Sequence, residues 1–172
     1  MAAPVTLPER LAAVRIGATF NQYAGSELRR MRLAAYLEAR ADAPVLLVGE
    51  AAGYRGARVS GIPFTSERQL TGHGPAEATA TVVHRVLAEL GREQDVLLWN
   101  VVPTHPGTAS SNRAPTRDEI EGGLPFLREL LRGRRTIAVG RLAQSVLGGP
   151  SVRHPAHGGA AAFRAGLAEL LA

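Results

Sequence analysis

Residues 45–53 read VLLVGEAAG, four apolar residues followed by small residues around one glutamate. A short run rich in valine and leucine is typical of a strand that is buried on both faces of a parallel sheet. Residues 96–103, VLLWNVVP, have the same form. Helical patterns separate and flank these runs, and strands that alternate with helices predict a parallel sheet with helices on both faces.

Two further short strands and five helices complete the predicted order of elements. Strands are predicted at residues 45–48, 96–99, 136–139 and around Val152, and helices at about 27–40, 75–91, 117–132, 140–147 and 160–171. Residues 54–74 are predicted to form a long functional loop or a partly helical lid, and residues 103–115 a loop. The predicted fold class is α/β, a three-layer α/β/α sandwich with a central, mainly parallel four-stranded sheet, in one domain spanning residues 1–172.

Two of these helices carry specific local signals. Thr116 and Glu119 have the spacing of a capping box, which predicts that a helix begins at residue 117. For the helix at 27–40, the apolar spacing predicts a buried stripe formed by Leu28, Met31, Ala35, Tyr36 and Leu37.

The composition limits the classes of protein that need to be considered. The 172 residues contain 45% hydrophobic residues, and no apolar run approaches the length of a membrane span. The first residues lack the basic and apolar segments of a secretory signal, so we expect a cytoplasmic protein without membrane association. The chain has no cysteine, which excludes disulfides and cysteine-ligated zinc or iron–sulfur centres. Its five histidines form no i,i+4 helical pair, and we expect neither a metal nor a cofactor.

The charge is compatible with nucleic-acid binding but does not establish it. The net charge is +5, and all 20 basic residues are arginine. Arginine binds phosphate bidentately and stacks on bases, which suits a nucleic-acid surface. An arginine-rich composition also arises from a genome rich in G and C, so charge alone does not decide between these interpretations.

Three polar segments are predicted to meet at one edge of the sheet. Glu50 and Asn100 directly follow the two apolar runs, and His154 follows the brief last strand. Because the carboxyl ends of parallel strands lie on one edge, a carboxylate, an amide and an imidazole would share one cleft. This cleft is the predicted active site.

Taken in order, six motifs resemble the uracil-DNA glycosylase superfamily. Each motif is weak alone, but their common order from about residue 45 to the C-terminus is specific. The motifs are GEAAG at 49–53, GIPFT at 61–65, LWNVVP at 98–103, NRAPTRDEI at 112–120, IAVG at 137–140 and HPAHGG at 154–159. The resemblance implies an enzyme of base excision repair that hydrolyses the N-glycosidic bond of uracil in DNA. The lack of cysteine places it outside the iron–sulfur branch.

The resemblance also implies a role for individual residues in the base pocket. Phe64 would stack on the flipped base, and the carboxamide of Asn100 would read the base edge as both donor and acceptor. His154 would donate a hydrogen bond to the O2 side of uracil, where negative charge develops as the bond breaks. Gly49 would line the pocket, and Ala51 and Tyr54 would help to set the choice of base.

Glu50 has two open interpretations. In several branches of the family the residue that positions the attacking water occupies the third place of the first motif, which is Ala51 here. Alanine cannot polarise water, although other branches also carry it and remain glycosylases. Glu50 would therefore either orient water or assist the sugar cation, or hydrogen-bond the loop and shape the pocket.

DNA contacts are expected around the pocket. The predicted contact residues are Arg55, Arg58, Ser66, Arg153, His157 and Gly158. Some relatives insert an apolar wedge from the His-Pro loop into the duplex, whereas this chain has Gly158 and Gly159 there. We therefore expect a preference for single-stranded or mispaired uracil. A monomer is expected, because one copy suffices for a base-flipping enzyme.

Alternatives remain open at this point. With no lysine for a Schiff base, we expect a monofunctional enzyme that uses water as the nucleophile. The base could instead be hypoxanthine or xanthine, or the chain could be a nucleic-acid-binding homologue with weak catalysis. A small-molecule enzyme that uses the turn at 49–53 as a phosphate cradle is disfavoured, because neither dinucleotide-binding nor Walker spacing is present.

Overall fold

The computed structural model describes residues 4–172 of the chain. Its strands are β1 (Val45–Ala51), β2 (Val96–Val102), β3 (Gly107–Thr108), β4 (Ser111–Asn112), β5 (Arg135–Val139) and β6 (Ser151–Val152). Its helices are α1 (Leu7–Ala13), α2 (Glu27–Ala39), α3 (Ala57–Ser60), α4 (Glu67–Thr71), α5 (Ala78–Glu89), α6 (Arg117–Leu131), α7 (Gly140–Leu147) and α8 (Ala160–Leu170).

Four strands form a parallel sheet in the order β2-β1-β5-β6, which confirms the predicted fold class. β1 lies inside the sheet, where Val45 pairs with Val96 on one side and with Arg135 on the other. The same register places Gly49 opposite Asn100 at the carboxyl ends of β1 and β2. The two short strands β3 and β4 form a separate antiparallel pair within the predicted loop.

Successive residues of β1 enter different hydrophobic clusters, as the alternation of side chains along a strand requires. Leu46 and Val48 of β1 pack with residues of α1, α2, α6 and α7 on one face of the sheet. Val45 and Leu47 pack with residues of α5 and α8 on the other face. Helices thus cover both faces, which gives the three layers that the sequence predicts. Within residues 4–172, no helix combines the length and apolar character that crossing a bilayer requires.

The predicted buried stripe of α2 is wrong in its N-terminal half. Leu28 and Met31 are 56% and 62% exposed, while Leu33 is completely buried. The cause is the side chain of Arg29, whose Nε donates to the carbonyl oxygen of Val59 at 2.8 Å. The face of α2 that carries Arg29 therefore packs against the rest of the protein in the first turns of the helix. Leu28 and Met31 lie on other faces and point to solvent. Ala35 is also exposed.

The segment 54–74 is a partly helical cap beside the sheet, one of the two forms that the sequence predicts. It contains α3 and α4. Arg32 of α2 binds Glu67 at the start of α4 through two hydrogen bonds of 2.8 and 3.0 Å, and both side chains are largely buried. This ion pair attaches the cap to α2.

Candidate active site

A cavity of about 320 Å³ opens at the carboxyl ends of β1 and β2. It is lined from three directions: by the turn after β1, by the end of β2 with the following loop, and by the loop after β6. Glu50, Asn100 and His154 all line it, so the three segments singled out in the sequence do converge.

Asn100 lies at the base of the cavity and is 4% exposed. Within residues 4–172 its carboxamide makes no hydrogen bond to another side chain or to backbone. Opposite it, a Cβ atom at Gly49 would overlap the ring of Phe64 and lie 2.8 Å from Asn100 Oδ1. Gly49 therefore lets the aromatic ring and the carboxamide approach each other in one pocket.

Phe64 lies in a strained turn that directs its ring into the cavity. Its φ of 52° is in the left-handed region, which costs about 1–3 kcal/mol for a residue other than glycine. The next residue holds this turn, since Thr65 Oγ1 donates to the carbonyl oxygen of Pro63 at 3.0 Å and lies 3.0 Å from His84 Nε2. The hydroxyl of Ser60 donates to the carbonyl oxygen of Thr65 at 2.6 Å. The surrounding hydrogen bonds thus maintain an otherwise unfavourable conformation.

The hydrogen bonding of His154 identifies its tautomer. The backbone N–H of Ala156 donates to Nδ1 at 3.1 Å, so Nδ1 is unprotonated and the ring proton resides on Nε2. Burial lowers the pKa of His154, and the nearby His157 lowers it further. Both effects favour a neutral imidazole that offers an Nε2–H donor.

The loop that follows His154 is tightly folded. His157 and Gly158 both have positive φ, at 52° and 75°. A Cβ atom at Gly159 would overlap the carbonyl oxygen of His154. The loop therefore requires glycine at position 159, and it leaves His157 and Gly158 exposed.

Two carboxylates line the same cavity, of which the sequence predicted only one. Glu50 is half-buried, and burial raises its pKa. Glu77, just before α5, is also half-buried, and burial raises its pKa as well. Its carboxylate packs against Gly53 and Gly56, where Cβ atoms would collide with it. The sequence signal for Glu77 was only its position at the start of a helix, because 23 residues separate it from the first motif.

Asn112 and Arg113 also line the cavity, although the sequence analysis gave them no role in the site. Asn112 Oδ1 accepts a hydrogen bond from the backbone N–H of Tyr54 at 2.9 Å. Arg113 binds both carboxylate oxygens of Glu119, at 2.7 and 2.8 Å. The side chain of Glu119 is 1% exposed, and the Arg113 guanidinium, together with backbone N–H donors, lowers its pKa to about 2.

His105 is a completely buried histidine beneath the cavity wall. Its Nδ1 lies 2.7 Å from the carbonyl oxygen of Ala52, and its Nε2 lies 2.7 Å from that of Thr108. His105 thereby connects the turn after β1 with the β3–β4 hairpin.

Some predicted contact residues lie outside the cavity. Ser66, a predicted DNA contact, is completely buried in this structure, and its hydroxyl lies 3.2 Å from Gln69 Oε1 in a capping box. Tyr54 does not line the cavity. Its ring instead lies under the exposed Arg55, with the guanidinium carbon 5.4 Å from the ring centre. Arg58 is half-buried beside it.

A second groove of about 670 Å³ adjoins the cavity and shares Glu50, His154 and His157 with it. The first turn of α7 and Arg153 complete its walls. The guanidinium of Arg153 donates to the carbonyl oxygen of His157 at 3.3 Å, and the side chain is exposed. The described residues contain no group of three or more histidine, aspartate or glutamate side chains that could hold a metal ion.

Comparison with known proteins is consistent with this geometry. The family model described as the uracil DNA glycosylase superfamily matches residues 36–167. A type-4 uracil-DNA glycosylase from Pyrobaculum aerophilum is 34% identical over 107 residues, which are 60% of this chain and 47% of the relative. The chain thus spans about half the length of this curated relative. The crystal structure of SMUG2 from Pedobacter heparinus superposes with a TM-score of 0.69 at 14% identity, over 88% of this chain and 86% of that one, which shows a shared fold.

Proposed function

The chain belongs to the uracil-DNA glycosylase superfamily, and on this premise we propose that it is a monofunctional DNA glycosylase. Its reaction is hydrolysis of the N-glycosidic bond of uracil in DNA, with water as the nucleophile. The observation that carries the proposal is the meeting of a buried, unpaired carboxamide and a neutral Nε2–H imidazole in one cavity. The cavity volume of about 320 Å³ lies in the range of small-ligand sites, which suits a single flipped base.

Asn100 and Phe64 would recognise the base. The carboxamide of Asn100 offers a donor and an acceptor, which match the adjacent carbonyl oxygen and N–H on the edge of uracil. The ring of Phe64 would stack on the base, an interaction worth about 1–3 kcal/mol. The approach of these two groups across Gly49 supports their joint role in one recognition pocket.

His154 would supply electrostatic catalysis. As the glycosidic bond breaks, negative charge develops on the departing base, and a fixed Nε2–H donor stabilises it more in the transition state than in the ground state. A neutral donor needs no proton transfer to act in this way. The hydrogen bond from Ala156 to Nδ1 supports this role, because it keeps the ring proton on Nε2.

Because residue 51 is alanine, a carboxylate elsewhere in the cavity would have to orient the attacking water. Ala51 lines the cavity and has no polar side chain. Glu50 and Glu77 are the two carboxylates in the cavity wall, and each either orients water or stabilises the positive charge that develops on the sugar. Burial raises the pKa of both carboxyl groups, which makes each a stronger base than an exposed carboxylate.

DNA would enter across the adjoining groove, where Arg153 and His157 would contact the strand on either side of the flipped nucleotide. The exposed tip of the loop carries Gly158 rather than an apolar wedge. Extrusion of a base from an intact duplex would therefore receive little help. Single-stranded or mispaired uracil is the expected preferred substrate, with the enzyme acting as a monomer.

The experiment is an excision assay on labelled oligonucleotides that contain one uracil, as a single strand, in a U·G pair and in a U·A pair. Alkali-labile abasic sites report excision. Asn100→Ala and His154→Ala are each expected to lower the single-turnover rate by about 100-fold or more. Arg128→Ala is the matched control, because Arg128 is exposed at the end of α6 away from the cavity.

The outcomes separate the alternatives. Binding of the oligonucleotides without excision, unchanged in Asn100→Ala, would indicate a binding module instead of an enzyme. Faster excision of hypoxanthine or xanthine than of uracil in the same assay would reassign the base. Excision from the U·A duplex that equals or exceeds excision from the single strand would contradict the strand preference.

A further inference from the structure

Phe20 is an aromatic residue whose side chain is exposed on the surface. It is 49% exposed and lies outside the residues that the family model matches. Two backbone hydrogen bonds fix its position: Phe20 N–H donates to the carbonyl oxygen of His105 at 2.8 Å, and His105 N–H donates to that of Phe20 at 2.9 Å. The exposed ring is thus held on a rigid part of the fold.

Two arginines and one tyrosine continue from this ring in an alternating row. The guanidinium carbon of Arg58 lies 5.5 Å from the centre of the Phe20 ring, within the range of a cation–π contact. Arg58 Nη1 also lies 3.4 Å from the carbonyl oxygen of Tyr54, whose ring lies under Arg55. We call these four residues, Phe20, Arg58, Tyr54 and Arg55, the aromatic–arginine strip.

The strip adjoins the cavity at two points. At one end, the N–H of Tyr54 donates to Asn112 Oδ1, and Asn112 lines the cavity. At the other end, Phe20 pairs with His105, and the next residue along the chain, Pro106, lines the cavity. The strip therefore lies next to two segments that line the cavity.

The charge of the strip is not neutralised by the protein. Within residues 4–172, neither Arg55 nor Arg58 forms a salt bridge with a carboxylate. Arg58 instead lies near another cation, Arg29. Burial lowers the pKa of Arg29, and the positive charge of Arg58 lowers it further. Unpaired guanidinium groups next to aromatic rings match a polyanion that carries flat bases.

We propose that the aromatic–arginine strip binds the single-stranded nucleotides that flank the flipped base, which rests on the function proposed above. An unstacked flanking base packs on the ring of Phe20, and the guanidinium groups of Arg55 and Arg58 contact the phosphates. Bases inside an intact duplex are already stacked and cannot offer a face to Phe20. The strip thus selects single strands by attraction, independently of the missing wedge at Gly158.

The first test measures binding of a uracil-free single-stranded oligonucleotide by fluorescence anisotropy. Phe20→Leu keeps apolar bulk but removes the ring, and it is expected to weaken binding at least about 5-fold. Phe20→Tyr keeps the ring and should bind like the unchanged protein. Arg58→Ala should also weaken binding and reduce the steepness of its salt dependence by about 0.7 in the log–log slope. Arg128→Ala, in the last turn of α6, is the control for net charge.

A second test asks whether Phe20 contacts a particular base. In single-stranded substrates with one uracil, an abasic nucleotide replaces each flanking position in turn. At one position the loss of the base should raise the half-saturating concentration of the unchanged protein at least about 5-fold, with little effect on the rate at saturation. Phe20→Leu should be insensitive to the same replacement, because the interaction is already absent and the two losses do not add.

These experiments distinguish a failure of the aromatic–arginine strip from a failure of the glycosylase assignment. Phe20→Leu that binds the uracil-free strand as tightly as Phe20→Tyr, with the same thermal unfolding midpoint, would overturn the strip even if uracil is excised. The strip would also be overturned if the effects of Phe20→Leu and of the abasic replacement add fully at every flanking position. A protein whose strand binding depends on Phe20 but which never excises uracil would support the strip and refute the glycosylase assignment.

Discussion

The ion pair between Arg113 and Glu119 provides a quantitative test of how the cavity wall is held. Glu119 accepts two hydrogen bonds from Arg113 and further bonds from the backbone N–H groups of Ala18 and Thr116. It thus joins the N-terminal segment, the start of α6 and the loop that lines the cavity. Glu119→Gln removes the charge, keeps nearly the same shape, and places an NH₂ group among donors.

The expected loss follows from the pKa of Glu119. Lowering that pKa from its ordinary 4.5 to about 2 corresponds to about 3–4 kcal/mol, at about 1.4 kcal/mol per pKa unit. Arg113 is 39% exposed, and solvent screening reduces this value to about 2 kcal/mol. Because the pKa is lowered in the folded state, the contribution is complete above about pH 4.5 and disappears as the pH falls towards 2.

Urea unfolding at a series of pH values measures this contribution. At pH 7 the free energy of unfolding of Glu119→Gln should be lower than that of the unchanged protein by about 2 kcal/mol, and the difference should shrink as the pH falls from about 4.5 towards 2. Glu129→Gln is the matched control, because the Arg10–Glu129 pair is 44% and 40% exposed and should contribute less than about 1 kcal/mol. A pH-independent difference, or one no larger than in Glu129→Gln, would refute the reasoning.

Three further predictions concern the cavity. Gly49→Ala should lower the unfolding free energy by about 1–3 kcal/mol and slow uracil excision, because the added methyl group overlaps the ring of Phe64; unchanged values in denaturation and single-turnover assays would contradict the packing. ¹⁵N NMR at pH 7 should show His154 protonated on Nε2 only, and protonation on Nδ1 would contradict the assignment. Because the pKa of His154 is lowered in the folded state, the free energy of unfolding should fall as the pH drops below about 6.5. His105→Phe should destabilise the protein by about 1–3 kcal/mol for each carbonyl left unpaired, and a thermal unfolding midpoint equal to that of the unchanged chain would show that the two contacts are not hydrogen bonds.

The parts of the site carried by strand ends were predictable from sequence. The strands at β1 and β2 are short apolar runs, and a parallel sheet brings their carboxyl ends together whatever the details of the helices. Glu50 and Asn100 each follow such a run, so their convergence required only the fold class. His154 was placed by a motif at the end of the chain, and it joins the same cavity.

Other features depended on contacts between distant segments. Glu77 enters the cavity because Gly53 and Gly56, in the segment after β1, leave room for its carboxylate. No local sequence pattern signals that fit. Ser66, expected at the DNA surface, is buried by the capping box that begins α4. Leu28 and Met31 point to solvent because Arg29 binds a carbonyl group of α3. Helical spacing identifies an apolar stripe but not which face the rest of the chain will cover.

The sequence by itself determined the alternation of strands and helices, the order of the motifs and the residues at the strand ends. These are local properties, since side-chain periodicity and turn chemistry act over a few residues. Only the tertiary structure decided the tautomer of His154, the pairing of Arg113 with Glu119 and the alignment of Phe20 with Arg58. Each of these depends on the positions of a few atoms, and those positions are set by packing between segments that folding brings together.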